Sequence, residues 1–489
     1  IDIVRAYFNA HISEEQPIFV ELPPEDPDFC KGVCGRLRVH MYGTRPAADG
    51  WHNEYSSAME EFGFEVGVST ARVFWNADRH LASSVHGDDF TFEGPPEALN
   101  EVTKALQKVW LVKVRAVLGP EPKDDKEVSI LNRVIRWTDD ALLYEADPRH
   151  SEIMIRQLGL QEERTRAVKT PGEKKGDYFN ATLLKGADIR TYKSATMRLA
   201  YLSQDMIMLQ YSVNRIAKAM VEPTEGGLQR LKRVCRFLIG APQWQQSFVV
   251  QERGEGSCIQ VFTDSDWAAD IHDRKSISSV IVKIGAHMIK PSVSGQAAPA
   301  LSSGEAELVA TTKGGSIGLG IASLARDFGD ELKIELWTDS TAAKGVATRI
   351  GLGRIRHLDT ALLWLQNHVE RGITKVRKVK GTSNPADIGA KDLGEKEMLA
   401  CLKTCGFHQA EGRHPLALRA ALGSGTEVAD EVANEMADEC EEGNAKKDLT
   451  AWVSYGVLKA CRKRWQKLEE GGCHLMLICS EVKDGEGCD

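Results

Sequence analysis

Four acidic positions constrain this chain more than any other feature, because each stands at the edge of a structural element. They are Asp264 in IQVFTDSDWAAD, Glu307 in ALSSGEAELVA, Asp339 in IELWTDSTAA and Asp387 in TSNPADIGAKDL. Asp264 and Asp339 close apolar, strand-like runs with the same Thr-Asp-Ser triplet, Glu307 lies on an apolar-periodic helix, and Asp387 opens a last helix after Pro385. Carboxylates borne by separate strands and helices can meet only where strand ends and helix faces converge. Three or four that do meet make a hard-oxygen cage for Mg²⁺ or Mn²⁺. Such a cage suits in-line phosphodiester hydrolysis with two ions per site, one activating water and the other holding the leaving oxygen. Taken singly, each acid also has a plain structural use: Asp339 as a cap for a helix at Thr341, Asp387 as a first-turn acid.

The patterning around these acids predicts strands Cys258–Thr263, Ser278–Ile284 and His287–Ser292, a helix Ser303–Phe328, strand Lys333–Thr338, a short helix after Asp339, a helix Leu358–Glu370 and strand Lys375–Lys380. On the long helix, Glu305 and Glu307 diverge by roughly 200°, since each residue turns about 100°. Ser302 with Glu305 fits a Ser-x-x-Glu capping box, and Glu307 lies on the side continued by Gly314 and Gly318, small residues that permit close approach to a sheet. Glu307 is therefore the expected ligand and Glu305 the cap.

The first half predicts strands at Ile1–Val4, Ile18–Leu22, Ala71–Asn76 and Ala82–Ser84, a helix Gly50–Glu61 and a helix Glu97–Trp110 after Pro95-Pro96. Strands Val128–Trp137 and Leu142–Tyr144, a linker over Thr165–Asp188 and helices Tyr192–Val221 and Thr224–Ile239 follow. Gly87-Asp88-Asp89, preceded by LASSV and followed by Phe90, suits a tight hairpin turn.

With 489 residues, 42% hydrophobic and 27% charged, the chain reads as a soluble globular protein of two to four domains. The eleven Cys have no regular spacing; Cys30/Cys34 and Cys401/Cys405, the latter followed by His408, do not form the Cys-x-x-Cys doublets of a structural zinc site. No secretory leader or membrane-length apolar stretch is evident, so an intracellular setting, cytoplasmic or nuclear and without membrane partners, is expected. The net charge of −8 is unusual for a nucleic-acid protein, but the acid is partly localised in Glu427–Glu442, which holds eight acids and no Lys or Arg. Basic clusters lie elsewhere: Lys104, Lys108, Lys113 and Arg115; Arg230, Lys232, Arg233 and Arg236; and Lys375, Arg377, Lys378 and Lys380. Each alone reads as a solvated face, whereas the set beside acidic sites reads as phosphate contact.

Six ordered segments, TDSDWAAD, DRKS, LSSGEAEL, WTDS, RHLD and PADIGAKDL, resemble the ribonuclease H domain of copia-type retrotransposon polyproteins. IDIVRAYFNAHISEEQPIFVELPP, VHMYGTRPAADGWHNEYSSAMEEFGF and SSVHGDDFTFEG resemble the reverse transcriptase of the same polyproteins, and TYKSATMRLAYLS, SVNRIAKAM and EPTEGGLQRLKRVCRFLIGAP the connecting region. The resemblance covers roughly residues 1–395. It implies an α/β and α+β multidomain fold: a partial reverse-transcriptase palm and thumb, then a ribonuclease H-like mixed five-stranded sheet with flanking helices. The implied domains are 1–150 (truncated reverse transcriptase), 151–254 (linker and helical connection), 255–395 (ribonuclease H-like) and 396–489 (a partly acidic extension without assigned function).

The same resemblance assigns catalysis and metal binding to Asp264, Glu307, Asp339 and Asp387 in one site and to Asp2, Asp88 and Asp89 in the other. Two Mg²⁺ or Mn²⁺ ions per site are implied, with RNA–DNA hybrid, template-primer and other polyprotein products as partners. Ile1 is not Met and Asp2 already lies in the first palm motif, so the fingers are expected to be missing. The family's Tyr-Val-Asp-Asp stands here as His86-Gly87-Asp88-Asp89, and Pro46 replaces a Gln, which puts polymerase competence in doubt. His357 and Asp359 match the family's Lys-His-Ile-Asp with no role assigned. A hydrolytic polyprotein fragment and a decayed or host-adopted, non-catalytic nucleic-acid-binding protein are both compatible with these residues.

Overall fold

The computed structural model describes residues 2–418, apart from 162–163, 175–177, 179, 242, 250, 252–257, 271, 352, 354–359 and 411, together with the strand His474–Leu477. His357, Asp359, the acidic stretch 427–442 and the helical spacing noted over 448–469 lie outside these residues. The chain divides into two compact units, Ile1–Lys126 with Asp327–Gly329 and Lys467–Asp489, and Glu127–Arg326 with Asp330–Gln466.

In the first unit the main sheet runs Glu65–Val66, Val73–Asn76, Leu81–His86, Asp89–Gly94, Asp2–Ile3, Val112–Lys113, all antiparallel. His474–Leu477 adds to Asp89–Gly94 and joins it to Ala116–Leu118. The hairpin between Leu81–His86 and Asp89–Gly94 turns through Gly87 and Asp88, with Gly87 at φ 61. A glycine at the first central position of a two-residue turn supplies that positive φ without steric cost. Helix Ala47–Glu61 begins directly after Pro46, earlier than the pattern predicted, because a proline's fixed φ and missing N–H are tolerated in a first turn. Trp51, Tyr55 and Met59 of this helix share a core with Leu99, Val102 and Leu106 of helix Pro96–Val109 and with Phe90 and Phe92.

The second unit opens with strands Glu127–Ile130 and Arg133–Trp137, where one continuous strand had been expected. Leu131 and Asn132 form the turn with φ 45 and 66. A turn with both central residues at positive φ is ordinarily announced by Asn-Gly, and Leu131 carries no such signal. These strands continue through Ala141–Glu145, Trp244–Val249 and Phe407–Gln409 as an antiparallel five-stranded sheet, so strands expected with the first half are hydrogen-bonded within the second unit. The long helix expected at Tyr192–Val221 is two, Ala187–Leu202 and Gln210–Lys218. Met206, Ile207, Met208 and Leu209 between them are all buried, so an unbroken apolar run hides the break. Asp205 stabilises that break by accepting from Arg133 Nε at 3.1 Å and Tyr144 Oη at 2.7 Å.

The remaining elements form a second five-stranded sheet, this one mixed, as the fold class required. They are β1 (Cys258–Ser265), β2 (Ile277–Ile284), β3 (His287–Gly295), α1 (Ser303–Asp327), β4 (Lys333–Thr338), α2 (Thr341–Ala347), α3 (Trp364–Glu370), β5 (Thr374–Lys378) and α4 (Asp387–Ala390). Strand order is β3-β2-β1-β4-β5, antiparallel across β3, β2 and β1 and parallel across β1, β4 and β5. Interior strand β2 is buried along its whole length, as a strand covered on both faces must be. Ile281, Met288, Ala386 and Ile388 join the core formed by helices Ala187–Leu202, Gln210–Lys218 and Glu225–Gly240. Leu308 of α1 packs separately with Ala343 and Val346 of α2.

Close approach of α1 depends on its glycines. A Cβ at Gly314 would stand 2.5 Å from Thr263 Cγ2, and one at Gly318 would stand 3.0 Å from Val261 Cγ2. Gly314→Ala should therefore destabilise the fold by about 1–3 kcal/mol through overpacking. Gly320→Ala, on the open side of the same helix with nothing within 4 Å of its Cβ, should stabilise it by about 0.5–1 kcal/mol. Urea melts of both variants check the contrast.

Candidate active site

The parallel pairing of β1 with β4 aligns Thr263 with Thr338, so the residues that follow, Asp264 and Asp339, leave neighbouring strand ends side by side. Carboxyl ends of parallel strands are where open α/β sheets present their sites. Glu307 reaches the same place from the second turn of α1, and oxygens of Asp264, Glu307 and Asp339 all lie within 4.8 Å of one another. Among the described residues no other such group of three or more His, Cys, Asp or Glu side chains is found.

The competing structural duties fall to neighbours. Ser340, not Asp339, caps α2 by accepting from Ala343 N at 3.1 Å. Glu305 turns back to accept from Leu301 N at 2.8 Å, while Glu305 N donates to Ser302 Oγ at 3.2 Å. The cap is thus the expected one shifted by a residue, since the glutamate takes the N–H of Leu301 instead of that of Ser302. The expected divergence of the two glutamates is present, with Glu307 inward.

Asp387 is not within reach of all three, but it bonds to Asp264 directly and is also linked to it through Lys391. The Lys391 ammonium lies 3.0 Å from Asp387 Oδ1 and 3.4 Å from Asp264 Oδ2. The segment bearing both residues is anchored by buried Asn384, whose Nδ2 donates to Thr263 O at 2.9 Å. Asn384 and Lys391 were not singled out from the sequence. The i,i+4 spacing of Asp387 and Lys391 was the available signal for the second.

Beside the site, the DWAAD and DRKS motifs build a clamped loop. Asp270 accepts from Arg215 Nη1 at 3.1 Å, Lys218 Nζ at 2.6 Å and His272 N at 2.8 Å, and Ala268 N donates to Ser276 Oγ at 2.9 Å. These bonds hold Ala268 and Arg274 at φ 51 and 55. Of the basic clusters, Lys375, Lys378 and Lys380 are exposed on and just beyond β5, and Lys378 Nζ donates to Asp339 O and Thr341 Oγ1. Arg230, by contrast, is buried, hydrogen-bonded to Asp392 at 2.5 Å and packed between the rings of Tyr178 and Tyr211, so it offers nothing to a phosphate.

Burial dominates the electrostatics. It pushes the Asp264 carboxyl up to about 9, with the bond to Asp387 and the charge of Glu307 adding and Lys391 opposing. It pushes Glu307 up to about 7, with the charge of Asp339 adding and the bond to Asp264 opposing. Lys391 is pulled down by burial but raised on balance by Asp264 and Asp387. Glu307 Oε2 is buried and accepts no hydrogen bond. Asp264 Oδ2 and Asp387 Oδ1 are likewise buried without a hydrogen bond, and a cluster of hard oxygens with three such atoms fits a divalent cation.

In the first unit Asp2 and Asp89 are register partners on adjacent antiparallel strands, and Asp88 precedes Asp89 in the turn. The side chain of Asp2 lies outside the described residues. Trp51 Nε1 donates to Gly87 O at 2.8 Å and ties the turn to helix Ala47–Glu61.

No protein-family model matches the chain. It is 25% identical over 402 residues to the retrovirus-related Pol polyprotein from transposon RE1 of Arabidopsis thaliana, covering 80% of this chain and 26% of that protein. It is 26% identical over 408 residues to the corresponding polyprotein from transposon RE2 of the same plant, with the same coverages. The chain thus spans about a quarter of the length of these relatives. A foamy viral protease-reverse transcriptase solved with an RNA/DNA hybrid aligns at 12% identity and a TM-score of 0.43, covering 78% of this chain and 43% of that one. The homologues of this chain are Pol polyproteins of transposons, as its ordered motifs implied.

Folded-state values above the ordinary carboxyl range of about 4 mean that the ion-free fold keeps its protons where the unfolded chain has lost them. Stability from Asp264 and Glu307 is therefore complete below about pH 4 and is lost as pH rises through about 7 and then about 9. Asp264→Asn should lose less stability than the parent chain between about pH 5 and about pH 9 in EDTA. Denaturant midpoints across that range measure it, and Mg²⁺ should remove most of the difference in slope.

Proposed function

We propose that this chain is a piece of a retrotransposon Pol polyprotein. In this reading residues 255–395 form a ribonuclease H that hydrolyses the RNA strand of RNA–DNA hybrids, and residues 1–150 are a remnant of an RNA-directed DNA polymerase. The observation that carries the reading is the meeting of Asp264, Glu307 and Asp339 at the ends of β1 and β4 and on α1, with oxygens within 4.8 Å.

Asp264, Glu307 and Asp339, with Asp387 at the margin, would hold Mg²⁺ or Mn²⁺. Such ions, when bound, supply Lewis acidity toward phosphodiester oxygens and an activated water. Asp264 and Glu307 carry protons more readily than ordinary carboxyls while buried without a cation, and release them as ligands. Exposed Lys378 and Lys380 at the end of β5 beside Asp339, with exposed Lys375 further along the same strand, support contact with the phosphate backbone, a sequence-independent and salt-sensitive attraction. Lys378, bonded to Asp339 O, would couple that contact to the strand end bearing the carboxylate.

For the first unit, the register of Asp2 with Asp89 supports reading Asp2, Asp88 and Asp89 as the polymerase acids. His86-Gly87 and Pro46, where the family has an apolar–aromatic pair and a Gln, support the loss of primer extension. Residues 151–254 are read as the connection between the two.

The full chain with Mg²⁺ or Mn²⁺ should nick the RNA strand of a labelled RNA–DNA hybrid. Asp339→Asn and Glu307→Gln should each lower the rate by several orders of magnitude while hybrid binding stays nearly unchanged. Glu305→Gln should keep most of the activity, because the amide oxygen still accepts from Leu301 N. Cleavage by Asp339→Asn equal to that of the parent would place the chemistry elsewhere, and hybrid binding without any cleavage would favour the non-catalytic reading.

A further inference from the structure

Three of the four expected acids form one mutual group, and the fourth, bonded to Asp264 alone among them, is also engaged by a cation that the chain itself provides. Asp387 lies outside the group of oxygens within 4.8 Å, yet Lys391 Nζ bridges it to Asp264 at 3.0 and 3.4 Å. A position flanked by two carboxylates, one of them a member of the trio, is where a second metal ion would find ligands, and it is filled by an ammonium.

The backbone that carries the ammonium is held in place by its surroundings. Lys391 follows α4, whose Gly389 packs so closely that a Cβ would stand 2.4 Å from Ser279 Oγ and 2.5 Å from Val293 Cγ2. On its other side Asp392 is locked to buried Arg230, and Leu393 is buried in the core. With the backbone pinned on both sides, the half-exposed side chain pairs with Asp264 and Asp387, with Glu307 and Glu397 as further charged neighbours.

We infer that Lys391 serves as the cation at the second position of this site, so that one divalent ion is held by Asp264, Glu307 and Asp339 and a second binds only by displacing Lys391 from Asp264 and Asp387. Lys391 is in this sense a positioning residue, setting how many ions the acids take and how tightly. The inference rests on the metal site proposed above and replaces the expectation of two equivalent ions.

Calorimetric titration of the full chain with Mn²⁺ tests it, together with melting temperatures with and without the ion. The parent chain should show one tight ion and a second that is much weaker. Lys391→Met should tighten the second by about tenfold or more. It should also melt lower than the parent without ions and gain more from saturating Mn²⁺, as binding to the folded state alone requires. Lys391→Arg, which keeps the charge, should titrate like the parent. Asp339→Asn should lose the tight ion with Lys391 intact. Superposable isotherms and equal Mn²⁺-induced melting shifts for Lys391→Met and the parent, with Asp339→Asn still losing its ion, would overturn the role of Lys391 and leave the metal site standing. An Asp339→Asn isotherm identical to the parent's would overturn both.

Discussion

The parallel pairing of β1 with β4 is the constraint on which the proposed site depends. Backbone hydrogen bonds align Thr263 with Thr338, and that register makes neighbours of two aspartates far apart in the chain. A slip of one residue would turn every side chain of a strand to the opposite face. The register is protected by what packs on it: Val261 and Thr263 of β1, and Ile334 and Leu336 of β4, lie so near the glycine face of α1 that a Cβ at Gly314, Gly315 or Gly318 would touch or crowd them. The same contact sets the depth at which Glu307 enters. One packing surface therefore determines both the fold of this part of the chain and the spacing of its carboxylates.

That spacing has an electrostatic consequence. Buried carboxylates so close together cannot all ionise without a compensating cation, and burial raises Asp264 and Glu307 far above their usual range. The fold meets part of this demand internally through Lys391, held by α4 against β2. In the proposed metal site, a divalent ion would meet the rest. Where Asp266 and Asp270 lie nearby, the chain deals with acids differently. Asp270 is fully engaged by Arg215, Lys218 and two backbone N–H groups, which pull it down to about 2 against the effect of burial. Asp266 is pushed up to about 6 by burial while accepting from Ile277 N. Neighbouring acids in one segment thus separate into loop anchors and an ion-seeking group by their partners alone.

Most elements around the site were legible because local patterning and tertiary environment agree there. Strands β1, β2, β3, β4 and β5 and helix α1 all appear within a few residues of their predicted limits, and Gly314 and Gly318 fall where close helix–sheet approach was expected. Where reading failed, the local signal was absent or pointed elsewhere. Leu131-Asn132 turns at positive φ without a glycine, and the apolar run from Met206 to Leu209 conceals the break between two helices because the core buries it on every side. Arg230 reads as one of a basic helical face until Tyr178, Tyr211 and Asp392 enclose it.

By itself the sequence determined the identities and order of the acids, the strand and helix types that carry them, and the separation of Glu305 from Glu307, since these follow from side-chain chemistry and the period of local structure. Tertiary structure alone decided which acids meet. Asp264, Glu307 and Asp339 converge because sheet register and helix docking are long-range contacts, whereas Asp387 touches only Asp264 of them and shares a lysine one turn away. Local patterning specifies what each segment can become, but distances between side chains remote in sequence arise only when the segments pack.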